Sequence, residues 1–286
     1  MAKELMPGQK RITPQGIVAD LMLVIWFVFS LFPIVWMFML AMKTPAEQTT
    51  TYFQFSPTLD NFATVVSDKG TLLTSVDFKS AIFQSVINCA GAVLVSLLVG
   101  IPAAYAAGRW KFKGSDDLMF NMLSFRFAPE LMVIVPLFVI YNATGLFGTT
   151  VGMIWVLQLV TMPLVVWILR SYFEDLPEDL EQAALLDGYT RTRAFVMVAL
   201  PMVRPGIAAS ALLSFIFAWN NYVFPLILTD TGSVTVAITK FLGGGGQAYY
   251  NLTAAAAIIG ALPPLILALT IQRYLVQGLS LGAVKG

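Results

Sequence analysis

The sequence has no histidine and one cysteine, Cys89, and charged residues make up only 12% of its 286 positions. The lack of histidine removes the commonest general base and metal ligand, which argues against a metalloenzyme or a membrane hydrolase. A single cysteine cannot form a disulfide within the chain, so it says nothing about the redox compartment. The net charge of +1 argues against a nucleic-acid partner, which requires a basic face.

Hydrophobic residues are what the chain has instead: they occupy 58% of positions, and the mean hydropathy is +0.78. Soluble domains carry about 25% charged residues. The composition therefore predicts an integral membrane protein. The first apolar run, Ile17 to Met42, follows basic residues as a signal peptide does. It is far longer than the roughly 7–15 residues of a signal core, so we expect an uncleaved span.

Six segments reach the length of about 20 apolar residues that a helix needs to cross the hydrocarbon core. They cover residues 17–42, 81–107, 118–141, 150–169, 205–229 and 253–276. The predicted fold is an all-α integral membrane protein with six transmembrane helices. Residues 17–276 form the transmembrane domain, residues 1–16 a cytoplasmic segment, and residues 277–286 a cytoplasmic tail.

Lysine and arginine orient these spans. Most lie in the N-terminal segment, in residues 108–117, in the loop 170–204 and at the C-terminus, whereas the alternate loops hold fewer. The positive-inside rule therefore places both termini and the loop 170–204 in the cytoplasm.

The loop 170–204 is the most polar stretch of the chain. Pro177 and the acidic residues after it suit the first turn of a helix. Leu180, Ala183, Ala184 and Asp187 then share one helix face. Gly188 permits a turn, and a second helical stretch from Thr190 leads to Pro201. A solvated connector is the plain alternative, but a short amphipathic helix with no membrane role favours contact with another protein.

From Glu181 to Gly188 the loop has the spacing of the EAA loop of ABC importer permeases. Further blocks fit the same family: residues 102–106, 167–170, 205–208, 217–220 and 272–286. Over residues 17–286 the chain resembles a carbohydrate-type ABC importer permease, of the class of the smaller permease subunit of maltose transporters. The resemblance implies the type I ABC importer permease fold in the bacterial plasma (inner) membrane, as a multi-pass protein.

The resemblance also implies a division of labour. The coupling residues would be Glu181, Ala183, Ala184, Asp187, Gly188 and Pro201. Glu181 would pair with a basic residue of the ATPase, and Ala183, Ala184 and Gly188 would form the contact face. Gln182 and Tyr189 depart from the family pattern. The implied partners are an ABC ATPase dimer that holds ATP and Mg, a second homologous permease, an extracytoplasmic solute-binding protein and membrane lipid. The chain has no Gly-Lys dipeptide and hence no P-loop, so we expect it to bind no cofactor itself.

Polar residues inside the spans are candidates for the substrate path: Asn88, Arg126, Glu130, Gln158, Trp219, Asn220, Asn221 and Tyr222. Arg126 and Glu130 stand four apart in one predicted span, so they should share a helix face, either as an ion pair or beside the path. The amides are alternatively links between helices. Trp219 and Tyr222 flank two asparagines, a combination that suits a sugar or polyol.

One outer loop carries Gly243, Gly244, Gly245 and Gly246. It is either a flexible turn or, by the resemblance, a loop that probes the solute-binding protein. The predicted function is a transport subunit, and not an enzyme, for a sugar or sugar alcohol. Glycerol or a glycerol phosphate is the alternative substrate. A membrane-embedded transferase that uses Asp116 and Asp117 as a metal motif is a remote alternative.

Overall fold

The computed structural model describes residues 14–51, 53–67, 76–110, 112–127, 130–230, 232–243 and 248–282. Regular structure within these ranges is entirely helical. The helices in chain order are α1 (Pro14–Ala41), α2 (Asp60–Val66), α3 (Phe78–Arg109), α4 (Ser115–Phe125), α5 (Glu130–Thr144), α6 (Thr150–Glu174), α7 (Glu178–Leu186), α8 (Arg191–Ala194), α9 (Leu200–Met202), α10 (Arg204–Trp219), α11 (Val223–Leu228), α12 (Val234–Gly243) and α13 (Tyr250–Gly282). A π-helical turn, Phe195–Ala199, joins α8 to α9.

Four helical segments in the described ranges are long and apolar enough to cross a membrane: Gly16–Ala41, Phe78–Arg109, Thr150–Glu174 and Tyr250–Gln272. They correspond to the predicted first, second, fourth and sixth spans. Two bent pairs of helices raise the number to six if each pair is one span. α13 continues through the start of the predicted cytoplasmic tail as far as Gly282.

The predicted third span, 118–141, is not one helix. α4 and α5 meet at an angle of 87°. The sequence carries Pro129 just before α5, and proline has no N–H with which to continue a helical ladder. The prediction that Arg126 and Glu130 share a helix face is wrong, because the break falls between them.

The predicted fifth span, 205–229, is also divided, since α10 ends at Trp219 and α11 starts at Val223. The Asn220 side chain donates to the carbonyl of Ile216 at 2.9 Å, and the Asn221 side chain accepts from the N–H of Phe224 at 3.2 Å. The Asn221 side chain thereby satisfies a backbone N–H in the first turn of α11, whereas the Ile216 carbonyl also accepts from the backbone N–H of Asn220. At its other end α10 forms a 70° bend with the segment Arg191–Met202.

α3 and α6 form the centre of the packed region through small residues. A Cβ added at Gly91 would lie 2.5 Å from the Ile154 side chain, and one at Gly100 would lie 2.8 Å from Val165. Such glycines let two spans approach closely, which replaces the missing hydrophobic drive between helices in lipid. Ser96 Oγ also donates to Gln158 Oε1 at 2.6 Å across this contact.

α1 is the least packed span: none of its most apolar 18-residue window is buried. Trp26 and Phe29 are 66% and 74% exposed. A continuous apolar surface of this size requires lipid or another subunit to cover it.

The end of α1 is nevertheless held by a buried polar cluster. Lys43 has no exposed surface, and its Nζ donates to the carbonyl of Thr50 at 2.6 Å. Asn61 Nδ2 donates to the carbonyls of Ala41 and Lys43, both at 2.8 Å. Asn251 Nδ2 donates to Asn61 Oδ1 at 2.8 Å. The cluster ties the end of α1 and the start of α2 to the start of α13.

Candidate functional site

α7 is a short helix with well-defined ends. Pro177 stands at its N-cap, and acidic residues occupy its first turn, where they complement the helix dipole. Gly188 follows with φ +87°, a left-handed conformation that glycine adopts without strain. The N–H of Gly188 bonds to the carbonyl of Leu185 and that of Tyr189 to the carbonyl of Ala184, both at 3.0 Å. This pair of bonds is a Schellman motif, so the predicted turn at Gly188 is confirmed.

The helical stretch predicted from Thr190 to Pro201 is also present. Thr190 Oγ1 accepts from the N–H of Arg193 at 3.3 Å and caps α8. The stretch then passes through the π-helical turn into α9, which contains Pro201. The Arg193 guanidinium lies over the Tyr189 ring, 4.4 Å from its centroid, so Tyr189 packs locally.

A cluster of polar contacts lies beneath α7; we call it the α7 cluster, and it consists of Tyr105, Arg109, Leu176 and Glu181. Glu181 Oε1 accepts from Arg109 Nε at 2.9 Å and lies 2.7 Å from Arg109 Nη2. Glu181 Oε2 accepts from the Tyr105 hydroxyl at 2.5 Å. Arg109 Nη1 donates to the carbonyl of Leu176 at 2.7 Å. The end of α3 thereby holds both α7 and the residue that leads into it.

The inward face of α7 differs from the face that the resemblance implied. Ala184 is 7% exposed and packs inward, whereas Ala183 and Asp187 are exposed and Leu186 is 89% exposed. The Glu181 side chain is 15% exposed and is paired within its own chain. Within this chain Ala184 faces inward and Glu181 is paired with Arg109, while the contacts of these residues with an ATPase stay predictions.

A second site lies where the broken helices meet. A cavity of about 590 Å³, which we call the Arg126 cavity, opens between α5, α6, α10 and α11. It brings together five residues of the predicted substrate path: Arg126, Glu130, Asn220, Asn221 and Tyr222. Phe125, Phe217 and Phe224 add aromatic surface.

The two charged residues of the Arg126 cavity have separate partners. Glu130 Oε1 accepts from Asn221 Nδ2 at 2.8 Å, which links α5 to the turn before α11. The Arg126 guanidinium stacks over Phe217 at 3.9 Å from the ring centroid. Both are described residues, and no ion pair joins them within 4.0 Å. The guanidinium therefore faces the cavity without a neutralising carboxylate.

Three residues of the predicted path lie outside this cavity. Asn88 accepts from Gln84 at 3.1 Å on α3. Gln158 Nε2 donates to the carbonyl of Ala92 at 3.0 Å, so it links α6 to α3. Trp219 is 4% exposed, and its Nε1 donates to the carbonyl of Gly260 at 3.1 Å. All three contribute to helix packing in this structure.

The glycine loop is described only in part. Gly243 is the last residue of α12. Gly244, Gly245 and Gly246 lie outside the described residues.

The acidic residues do not form a metal site in the described part of the chain. No group of three or more histidine, cysteine, aspartate or glutamate residues there is arranged to hold an ion. Asp116, one half of the acidic pair noted in the sequence, instead forms an ion pair with Arg170.

Sequence reasoning missed three residues of these sites. Tyr105 and Arg109 stand four apart and therefore share the inner face of the last turn of α3, a spacing visible in the sequence. Phe217 stands four residues before Asn221 and carries the stacking surface for Arg126.

Comparison with known proteins identifies the family. Residues 96–281 match the model of the binding-protein-dependent transport system inner membrane component. The chain belongs to this family of transport permeases. The permease is 32% identical to the trehalose/maltose transport system permease protein MalG of Thermococcus litoralis, over 91% of this chain and 93% of that protein. It is 35% identical to the trehalose transport system permease protein SugB of Mycobacterium tuberculosis, over 90% and 93%.

The permease fold is also found among solved structures. A chain of a bacterial ABC transporter involved in the import of the acidic polysaccharide alginate superposes with a TM-score of 0.73 at 20% identity, covering 93% of this permease and 99% of that chain. Family membership confirms a sugar-type ABC transport permease that spans the membrane several times and is not an enzyme. The transferase hypothesis is therefore rejected.

Proposed function

We propose that this permease forms half of the translocation pathway of an ATP-driven importer for a sugar or sugar alcohol. The observation that carries the proposal is α7, a helix outside the spans whose Leu180, Ala183 and Leu186 form an exposed face. A rigidly capped helix with an apolar outer face suits docking on an ATPase. The relatives named for trehalose and maltose support a sugar rather than glycerol as the substrate class.

The remaining subunits follow from this role. A second homologous permease completes the pathway and covers part of the apolar surface of α1, with lipid on the rest. An ATPase dimer binds ATP and Mg, while this chain binds no cofactor. A solute-binding protein delivers the sugar, and the solved alginate importer has such a periplasmic protein bound with its pentasaccharide. By the resemblance, the stretch that contains Gly243 to Gly246 contacts this solute-binding protein.

The chain crosses a bacterial inner membrane six times, and both of its termini lie in the cytoplasm. Each of the two broken regions, around Arg126 and around Asn220, lies within one span. Irregular backbone at membrane depth is tolerated where it lines a cavity, which supports the assignment of these breaks to the pathway. The distribution of lysine and arginine supports the orientation.

The Arg126 cavity offers the chemistry that sugars require. Asn220 and Tyr222 present hydrogen-bonding groups, Phe125 and Phe217 present aromatic faces, and the lining remains predominantly apolar. Sites for small polar ligands commonly combine a few oriented polar groups with apolar walls. The cavity therefore supports a substrate path that runs past the breaks.

The test is purification of the permease with its associated subunits from membranes, followed by reconstitution in proteoliposomes. We expect an ATPase to co-purify and its activity to rise when solute-binding protein is supplied with trehalose, maltose or another sugar of a panel. Asn220→Ala should reduce sugar uptake without loss of ATPase association. Absence of any bound ATPase, or stimulation by glycerol alone, would contradict the proposal.

A further inference from the structure

The α7 cluster contains a carboxylate whose two oxygens are already occupied. Arg109 approaches Glu181 Oε1 with two nitrogens, at 2.7 and 2.9 Å, and the Tyr105 hydroxyl occupies Oε2 at 2.5 Å. The side chains of Arg109 and Glu181 are only 8% and 15% exposed. Charge-assisted bonds of this length are among the strong polar contacts in proteins. Within this chain each oxygen of the Glu181 carboxylate therefore already has a donor.

Arg109 also fixes the chain on the other side of the turn before α7. Its Nη1 donates to the carbonyl of Leu176 at 2.7 Å, and Leu176 is 7% exposed. One guanidinium therefore binds the residue that enters the turn at Pro177 and a residue in the first turn of α7. Rotation of α7 about Pro177 would break at least one of these bonds.

The residues that support Glu181 are themselves closely packed. The Tyr105 ring packs against Trp110, Phe173 and Phe195, with centroid distances of 5.3, 5.3 and 4.4 Å. A Cβ added at Gly108 would lie 3.1 Å from the Arg170 carbonyl oxygen, so α3 and α6 are in close contact at this level. The ends of two spans and the π-helical turn thus form one packed unit beneath α7.

From this geometry we propose that Glu181 is a positioning residue that fastens α7 to the end of α3 through Arg109 and Tyr105. Movement of α7 then reaches the spans through an ion pair within this chain, and Glu181 does not reach the ATPase. The inference rests on the proposed function, in which the outer face of α7 docks on that ATPase. Leu180, Ala183 and Leu186 remain free for the docking contact.

A distance measurement on the assembled complex tests the fastening. Spin labels at Asp179→Cys on α7 and Lys113→Cys beyond α3 report their separation, and buried Cys89 does not compete for the label. We expect one narrow distance distribution, unchanged when MgATP with vanadate traps the ATPase. Arg109→Gln or Glu181→Gln should broaden or shift it, whereas Asp117→Asn, which removes an exposed acid elsewhere, should not. A distribution that is insensitive to Arg109→Gln would overturn the proposal.

A double-mutant cycle on coupling gives a readout that simple loss of structure does not reproduce. The quantity is ATP hydrolysed per sugar transported, measured with whichever sugar stimulates the wild-type complex. Each single glutamine variant should raise the ATP hydrolysed per sugar transported about tenfold, as expected for loss of a hydrogen bond between charged groups. The double variant should hydrolyse no more ATP per sugar than the more impaired single variant, because both substitutions remove the same bond. Effects that multiply would contradict an internal pair.

Exchange of the two charges separates this pair from a contact with the ATPase. Arg109→Glu combined with Glu181→Arg should recover part of the coupling that each change alone abolishes. If Glu181→Arg is instead rescued by an acidic replacement of a basic residue in the ATPase cleft, the proposal is wrong. Co-purification of the ATPase is measured in parallel. If no ATPase binds the wild-type permease, the proposed function is refuted. If the ATPase binds but the effects of the two glutamine variants on coupling are independent, only the positioning role of Glu181 is refuted.

Discussion

The α7 cluster and the Arg126 cavity treat their charged residues in opposite ways. In the α7 cluster, Arg109 forms an ion pair with Glu181 and donates hydrogen bonds from two nitrogens, one to Glu181 and one to the carbonyl of Leu176. In the cavity, Arg126 has an aromatic face beneath it and no carboxylate within 4.0 Å in the described chain. The first arrangement uses charge to hold two helices together. The second leaves charge available where the break between α4 and α5 meets the break between α10 and α11.

The difference teaches where this permease is rigid and where it is open. Bonds between Arg109 and its partners join positions 67 and 72 residues apart, so they fix tertiary structure. The Glu130–Asn221 bond also joins distant positions, 91 residues apart, but it leaves the Arg126 guanidinium beside the cavity without a carboxylate partner. Stability should therefore depend on the α7 cluster, and transport specificity on the cavity.

The largest predicted effect is a loss of stability, which should be greater for substitution of Arg109 than for substitution of Arg126. Arg109→Ala should lower the free energy of unfolding by roughly 3 kcal/mol, because it leaves a largely buried carboxylate unpaired. Arg126→Ala should cost about 1 kcal/mol or less, the scale of a cation–π contact. Thermal unfolding of the purified permease in detergent measures both. Equal losses for the two variants would remove the distinction, and Lys113→Ala in an exposed turn serves as the control.

An intermediate effect is expected from Gly188. Gly188→Ala places a Cβ at φ +87° and should cost about 1 kcal/mol, the penalty of left-handed backbone for an L-residue. Gly114 is a matched control, since it has φ +85° and, like Gly188, nothing within 4 Å of an added Cβ. We expect similar losses of stability from both substitutions, but loss of ATP-coupled uptake only from Gly188→Ala. Equal losses of uptake would show that the end of α7 has no special role.

The smallest effect concerns the ion pair between Arg170 and Asp116, whose side chains are 17% and 87% exposed. Asp116→Asn should change the unfolding free energy by about 0.5 kcal/mol or less, as is usual for exposed pairs. The difference should vanish at high salt because mobile ions screen exposed charges. Melting temperatures at low and high ionic strength test this, with Glu181→Gln as the variant whose cost should persist in salt.

The sequence was sufficient to locate the helices that long apolar runs produce, and to locate α7 from Pro177, its acidic first turn and Gly188. It was insufficient for the two breaks, because an apolar run looks the same whether one helix or two occupy it. Asn220 and Asn221 at the second break were identified as polar, but their hydrogen-bond partners depend on the folded chain.

Periodicity also left the orientation of α7 undecided. Ala183 and Ala184 were grouped on one face, but successive helix residues point about 100° apart, so the fold can bury Ala184 and leave Ala183 exposed. The partners of Glu181 lie 72 and 76 residues earlier in the chain, beyond any local pattern. The sequence predicted part of the cavity lining. Trp219 was expected there but packs elsewhere, where its indole N–H donates to the carbonyl of Gly260.

The separation between Arg109 and Glu181 has a consequence during synthesis of the protein. Ribosomes add about 5–20 residues per second, so the acid emerges several seconds after the base to which it binds. Through that interval Arg109 is an uncompensated positive charge at the end of a freshly inserted span. In the proposed orientation such a charge resists translocation and keeps this end of α3 on the cytoplasmic side. The same arginine thus first sets the direction of a span and later receives the helix made after it.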